Sequence, residues 1–412
     1  MRTLPLLVLL PACLMDVPKG EIREAEVGDT DADTDADTDT DSDTDADTDT
    51  DTDADTDTVP PDTGELRGVW VDRWTFSSED DVRTIMQNAA RAGFNTVFFQ
   101  VRGNADAYYQ SSYEPWAKGL SGTLGRDPGW DPLAVAIEEG HAQGLDVHAY
   151  INAFPFWAGT TPPTESTPRH ALLAHPEWLV AGSDGEPMAL NASYVWMSPG
   201  NTEVQERLAD VARDITNRYE VDGIHLDLVR YPGADYSHDA ASEANYDGSG
   251  WEDWQRAQVV EAVAGVYALS PVPVTAAVWG VYQNDWGWSS VSEGRNDYYQ
   301  DSRAFLSEGV VDANMPMIYW PVTDTPGDRL DFATLVADHV AHAAGRHVYA
   351  GITAEMDGGE ADVLACIDAA RANGARGVVL FDYELLLDEG YLFDLATGPF
   401  AEPADIPRYD WR

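Results

Sequence analysis

The chain has 412 residues, with 24 Lys+Arg against 73 Asp+Glu and a formal net charge of −49. Residues 1–65 contribute −18 of that charge and the rest of the chain −31, so the acidity is not confined to one end. Such a surface argues against a nucleic-acid partner, which needs clustered Lys and Arg, and the 2 cysteines cannot build a disulfide framework.

Residues 1–12, MRTLPLLVLLPA, place one positive charge before a short apolar run and a small residue before Cys13. This is the layout of a secretory signal, too short to span a bilayer as a helix. Leu10-Pro11-Ala12-Cys13 resembles the lipobox of bacterial lipoproteins, although Pro11 is unusual at its position. The resemblance implies cleavage before Cys13, lipid on that cysteine, and a mature chain anchored to the membrane of the bacterial cell envelope. Ordinary secretion is the alternative. From Asp29 to Thr58, Asp alternates with Thr, Ala or Ser. The alternation offers no apolar face, and like charge at every second residue keeps the segment extended, so 14–64 is expected to be a disordered linker. It lacks the glycine turn and closing glutamate of an EF-hand loop.

From Leu66 onward the pattern changes. Strands are predicted at 66–72, 95–102, 145–153, 223–231, 272–280, 312–320, 346–353 and 377–384. Helices alternate with them near 79–92, 131–143, 201–219, 251–268, 297–308, 329–343 and 359–373, with a short one near 388–396. Eight such units predict a (β/α)8 TIM barrel over 65–400, followed by a tail at 401–412. A doubly wound open sheet is the alternative, but VDRWTFSSED after the first strand is not a phosphate loop. Ser77 or Ser78 should cap the first helix and Asn201 or Thr202 the third. The long connections 103–130, 154–200 and 281–296 all follow strands and carry many aromatics, which suit sugar rings.

The fourth strand breaks the rule that a parallel strand reads as nearly all apolar. In VDGIHLDLVRYPG (221–233), His225 and Asp227 alternate with Ile224, Leu226 and Leu228, and Arg230 follows. An acid at the carboxyl end of a barrel strand points to chemistry; a structural Asp227–Arg230 pair is the bland alternative. The other strand ends supply Asp72, Arg102, His148, Asn152, Trp279, Tyr319, Trp320, Glu355, Asp382 and Glu384. Each has a structural alternative: an ion pair of Asp72 with Arg73 or Arg102, a core His148, a barrel cap from Tyr319 and Trp320. Together they suit glycoside hydrolysis, which needs one protonated and one ionised carboxyl about a single bond. Asp227 is the candidate for the ionised partner, its pKa held down by Arg230. Glu355 is the first candidate for the acid, with Asp382 and Glu384 as rivals. The remaining polar and aromatic residues, with His225 and Arg230, would bind substrate. No nucleophile elbow, phosphate loop or metal motif is found, so no cofactor or metal is expected.

RGVWV (67–71), NTVFFQVRGNADAYYQSSYEPW (95–116), DPLAVAIEEGHAQGLDVHAYINAF (131–154), HPEWL (175–179), VDGIHLDLVRYP (221–232), DYYQDSRAFL (297–306) and MPMIYW (315–320) stand in order along the chain. In this the chain resembles the bacterial glycosyl-hydrolase-like family ten, and is similar to the glycosidase domain attached to some exopolysaccharide deacetylases. The resemblance implies a TIM barrel that hydrolyses a polysaccharide, with amino-sugar polymers as candidates and Asp227 at the family's acidic position. Leu228 departs from relatives that carry a second acid there. The expectation is a monomeric, lipid-anchored glycoside hydrolase acting on a cell-envelope or extracellular polysaccharide. A non-catalytic glycan-binding barrel and a lyase or transglycosylase are the alternatives.

Overall fold

The computed structural model describes residues 63–326 and 329–412. The signal segment, Cys13 and nearly all of the linker lie outside the described residues. Eight parallel strands close a barrel: β1 (Leu66–Val71), β2 (Thr96–Arg102), β3 (Asp146–Asn152), β4 (Gly223–Asp227), β5 (Val274–Trp279), β6 (Ala313–Met317), β7 (His347–Val348 and Ala350–Thr353, interrupted at Tyr349) and β8 (Gly377–Phe381). Neighbours in sequence are neighbours in the sheet. β8 returns to β1 with Leu66 opposite Gly377, and Gly351 on β7 pairs with Met317 on β6. The fold is the expected (β/α)8 barrel.

The helices follow the strands: α1 (Glu79–Arg91), α2 (Pro132–Ala142), α3 (Thr202–Arg218), α4 (Trp251–Leu269), α5 (Ser302–Ser307), α6 (Phe332–Ala341), α7 (Glu360–Ala372) and α8 (Tyr391–Thr397). Ser78 caps α1 by accepting from the Asp81 N–H, and Asn201 caps α3 by accepting from the Glu203 N–H. Each cap satisfies a donor that the first helical turn leaves unpaired.

Strand residues alternate in direction, and the two sets form two cores. Val69, Val71, Val97, Phe99, Ile224 and Leu226 face the helices in one large apolar layer. Leu66, Trp70, Phe98, Tyr150, Ala277, Ala313, Met315, Tyr349 and Val379 fill the barrel. The inward set explains the odd residues of β4, because His225 and Asp227 share its parity. Gly223 begins that inward row. A Cβ there would come within 2.3 Å of the His148 ring, so glycine makes room for the histidine.

Several elements are shorter than their patterns suggest. β4 stops at Asp227 rather than Tyr231 because Leu228 turns the chain at φ 49°, a left-handed conformation that costs about 1 kcal/mol outside glycine. β6 ends at Met317, not Trp320. β8 ends at Phe381, where Asp382 becomes the cap of a short helix, Tyr383–Asp388. The helix expected at 297–308 contracts to α5, after a separate turn at Gly294–Asp297.

The 401–412 segment runs across the amino-terminal end of the barrel. Arg67 donates to the Glu402 carbonyl, Asn95 to the Ala404 carbonyl, and the Glu65 N–H to the Asp405 carbonyl. The segment closes on Asp312, which precedes β6 and is fully buried. Asp312 accepts from Trp411 Nε1 (2.8 Å), Arg412 Nε (2.8 Å), the Val274 N–H (2.7 Å) and the Tyr267 hydroxyl (3.2 Å), with Arg346 at 3.3 Å. Removing one member of a buried ion pair strands the other charges, at about 3–5 kcal/mol. Asp312→Ala is therefore expected to lower unfolding free energy by about 3 kcal/mol or more in urea titrations, with Asp312→Asn losing less.

Candidate active site

Inward parity carries the side-chain rows of β1, β3, β4 and β8 up to the carboxyl end of the barrel. Trp70, Tyr150, Asp227, Ala277, Met317, Tyr319 and Phe381 line a small well there, about 20 Å³. A larger open groove, lined by Trp286, Val322, Pro326 and Asp338 among others, runs along α6 and holds none of the strand-end carboxyls. Of the two, only the small well is lined by a strand-end carboxyl, Asp227.

Asp227 is set by its neighbours. The Tyr150 hydroxyl donates to Oδ2 at 2.6 Å, and the Leu228 N–H donates to Oδ1 at 2.5 Å. Burial raises its pKa, while these two donors and then Arg230 oppose the rise. Arg230 is a weaker influence than expected from sequence. Its guanidinium lies 4.5 Å from the Tyr298 ring centre and 5.2 Å from those of Trp196 and Trp279, and Nη1 donates to the Tyr231 carbonyl. It is a cation boxed by aromatic faces beside the carboxylate, not bonded to it.

Asp72 follows β1 and is half-buried. Burial pushes its carboxyl up to about 7, and the charges of Asp382, Asp227 and Glu384 push the same way against Arg73. Asp382, 8% exposed, is raised to about 6 by burial, while the Leu385 N–H that it caps at 2.9 Å opposes the rise. Glu384 is exposed, and the desolvation it does suffer raises its carboxyl, helped by Asp388. Tyr319, stacked on Phe381 at 5.7 Å, feels Asp227, Asp72 and Asp382 together. Carboxyls from β1, β4 and β8 thus crowd one mouth. Their protons come off in sequence, since like charges held close cannot ionise together, and Asp72, raised to about 7, is carried higher than Asp382, raised to about 6.

The other sequence candidates divide. Asn152 and Arg102 are buried and fully engaged in structure. Asn152 accepts from Gln100 (3.1 Å) and donates to the Gly103 carbonyl (3.2 Å). Arg102 pairs with Glu114 at 2.7 Å and donates to the Asn152 and Ala153 carbonyls. Neither Arg102 nor Arg73 forms the ion pair with Asp72 that the sequence allowed. Arg73 donates to Gln100 Oε1 (2.9 Å) and the Tyr194 hydroxyl (3.1 Å).

His148 and His225 sit below the mouth, in the barrel interior. His148 packs edge-on against Phe98 at 5.0 Å, and burial lowers its pKa to about 4. His225 Nε2 accepts from Trp70 Nε1 at 2.9 Å, which puts the ring proton on Nδ1, facing Thr275 Oγ1 at 2.9 Å. Burial holds it well below its ordinary value, so it is neutral and orients Trp70. Trp279 bonds the Ser292 carbonyl and packs on Tyr298, and Trp320 is half-buried against the outer core.

Glu355, the expected acid, is exposed just past β7, and its N–H bonds Thr353 Oγ1 at 3.1 Å. It is not among the charges felt by Asp72 or Asp227. From the sequence alone Asp72 reads only as a binding residue. Its parity with Leu66, Gly68 and Trp70 was the available signal. Glu114 was not foreseen, because nothing local ties it to Arg102. His175, Glu177 and Glu203 stand close enough to share a cation, but Glu203 already accepts from Trp178 Nε1 at 2.9 Å, and the three lie apart from the strand-end carboxyls.

A family profile described as "Glycosyl hydrolase-like 10" matches residues 65–358, and the chain belongs to that family. It is 28% identical over 287 residues to glycosyl hydrolase YngK of Bacillus subtilis (strain 168), covering 63% of this chain and 54% of that protein. It is 29% identical over 264 residues to glycosyl hydrolase DigH of Escherichia coli (strain K12), covering 57% of each. The chain thus spans little more than half the length of these relatives. Among solved structures, the PgaB (BpsB) glycoside hydrolase domain from Bordetella bronchiseptica superposes with a TM-score of 0.58 at 14% identity, covering 80% of this chain and 98% of that one. The catalytic domain of a β-amylase from Paenibacillus polymyxa gives 0.53 at 12% identity, covering 79% and 94%. These two likenesses concern the barrel alone.

A raised acid has a stability cost with a definite sign. Asp72 binds its proton more tightly folded than unfolded, where its ordinary value is 3.8. Stability is therefore unaffected below about pH 4 and falls as pH rises towards about 7. With the partial solvent access of the group allowed for, Asp72→Asn is expected to stabilise the chain by about 1–2 kcal/mol at pH 8 and not at pH 3, measured by urea unfolding at both.

Proposed function

We propose that the chain is a glycoside hydrolase acting on a cell-envelope or extracellular polysaccharide, with Asp72 as proton donor and Asp227 as the ionised partner. The observation that carries this is the crowding of Asp72, Asp227 and Asp382 at one mouth, which leaves the proton on Asp72 near neutral pH. Family membership and the hydrolase relatives support the reaction class.

In this mechanism a sugar lies across the barrel mouth, above the small well of Trp70 and Tyr319. The Asp72 carboxyl gives its proton to the glycosidic oxygen as the C–O bond breaks. Asp227 meets the developing positive charge on the anomeric carbon, either by bonding to it or by taking the proton of an attacking water. The Tyr150 hydroxyl and Leu228 N–H hold both Asp227 oxygens in place and favour the ionised form. Asp382 is engaged as a helix cap and acts on Asp72 through its charge. Leu228, where the resemblance led to a second acid, favours a second reading: a glycan-binding barrel without turnover.

The test is release of new reducing ends from envelope, capsule and exopolysaccharide preparations. Asp227→Asn is expected to lower turnover by about 10³-fold or more, and full activity in that variant would remove Asp227 from the mechanism. Asp72→Asn is expected to lose about 10²–10⁴-fold on native glycans, yet far less on dinitrophenyl glycosides, whose leaving group needs no proton. Wild-type activity should fall above about pH 7 as Asp72 ionises. Binding without cleavage by wild type across the panel would favour the second reading.

We also infer, from the signal-like segment and Cys13, that the mature chain is lipid-anchored at the cell envelope. Labelling by an alkyne fatty acid in wild type and its loss in Cys13→Ala is the expected result; equal labelling would refute the anchor.

A further inference from the structure

We propose that Trp74 is a sugar-binding platform, one subsite out from the bond that is cut, and that it is rigidly coupled to Asp72. The inference rests on reading the barrel mouth as a carbohydrate site. Asp72, Arg73, Trp74 and Thr75 form a turn closed by the Thr75 N–H on the Asp72 carbonyl at 3.1 Å. Such a turn holds the Cα atoms of its two end residues within about 7 Å, so the backbone of Trp74 is fixed beside that of Asp72.

The indole is 55% exposed, among the few large apolar side chains of the described residues left so open. One of its faces is covered: the Arg73 guanidinium lies 3.7 Å from the ring centre. Arg73 itself is 4% exposed and makes no ion pair among the described residues. Instead Gln100 Oε1 receives both its Nη1 (2.9 Å) and its backbone N–H (3.1 Å), and the Tyr194 hydroxyl receives Nη2 (3.1 Å). Gln100 is held in turn by Asn152 at 3.1 Å. A buried cation anchored to Gln100 and Tyr194 therefore fixes the indole plane from beneath. The opposite face is left to an occupant.

That occupant is a pyranose ring of the same polysaccharide. The patch is continuous with the carboxyl mouth through a single turn. A flat indole matches the C–H face of a sugar, whose weakly positive hydrogens meet the negative face of the ring system. A protein partner would need a far larger apolar surface than one indole. Tryptophans of this kind commonly dominate the energetics of a contact, so the effect of losing it should be measurable.

The experiment uses the full chain carrying Asp227→Asn, so that binding is read without cleavage. Its affinity is measured by calorimetry for the disaccharide and hexasaccharide of the chitin, de-N-acetylated chitin and cellulose series. With Trp74→Ala added, the advantage of hexasaccharide over disaccharide should shrink about tenfold, and with Trp74→Phe by less, without a lower Tm because the side chain is exposed. An unchanged advantage in Trp74→Ala overturns the platform, even where the wild type releases reducing ends and the hydrolase reading stands. No binding of any hexasaccharide by the Asp227→Asn chain also overturns it. Trp74-dependent binding without reducing ends from the wild type keeps the platform and removes the hydrolase.

Discussion

Like charges held close in a poorly hydrated space cannot all ionise, and the carboxyl mouth of this barrel is built on that constraint. Eight parallel strands deposit their carboxyl ends on one face, so acids at positions 72, 227 and 382 meet although long stretches of chain separate them. Asp227 has two donors and a nearby guanidinium to favour its charge. Asp382 has a helix N–H. Asp72 has the opposition of Arg73 and little else against burial and three neighbouring acids. The asymmetry of partners sets similar side chains apart, with Asp72 raised to about 7 and Asp382 to about 6, and the proposed division of tasks rests on that difference.

The scaffold beneath was legible because its rules are local. Short apolar runs alternating with helical patterns mark the strands, and the Ser77-Ser78 and Asn201-Thr202 pairs mark helix starts. The violation in β4 was informative for the same reason. His225 and Asp227 are polar at inward positions, which the interior tolerates only when their bonds are made: His225 between Trp70 and Thr275, Asp227 under Tyr150. The histidine turned out to be structural and the aspartate to reach the mouth. Two residues of rise along the strand separate those fates, a difference that no pattern reveals.

What stayed hidden was non-local. Arg102 looked like a binding residue because its partner Glu114 sits on a loop whose path is set by packing. Glu355 reads as an acid because a loop can swing over a leaving group, yet this one leaves it in solvent. The end of β4 depends on the unusual φ of Leu228, a residue whose chemistry favours an extended strand. Trp74 stands in a short connection, 72–78, outside the long aromatic-rich loops that suggest sugar binding.

The two ends of the barrel treat the same residue type in opposite ways. At the amino-terminal end Asp312 is sealed under two arginines, an indole, a phenol and a backbone N–H, and its charge is compensated by hydrogen bonds and cations from three parts of the chain. At the carboxyl end, burial and mutual repulsion raise the acids, which cost stability over the pH range in which they would work. A chain with a net charge of −49 is short of cations, and it has placed several at the closed end. Arg73 and Arg230, the cations at the open end, lie against aromatic rings rather than in ion pairs. A carboxylate salt-bridged to either would lose its proton early, and the division of labour at the mouth would disappear. Keeping those guanidiniums on indole and phenol faces preserves their electrostatic influence while leaving the acids free to hold or release a proton.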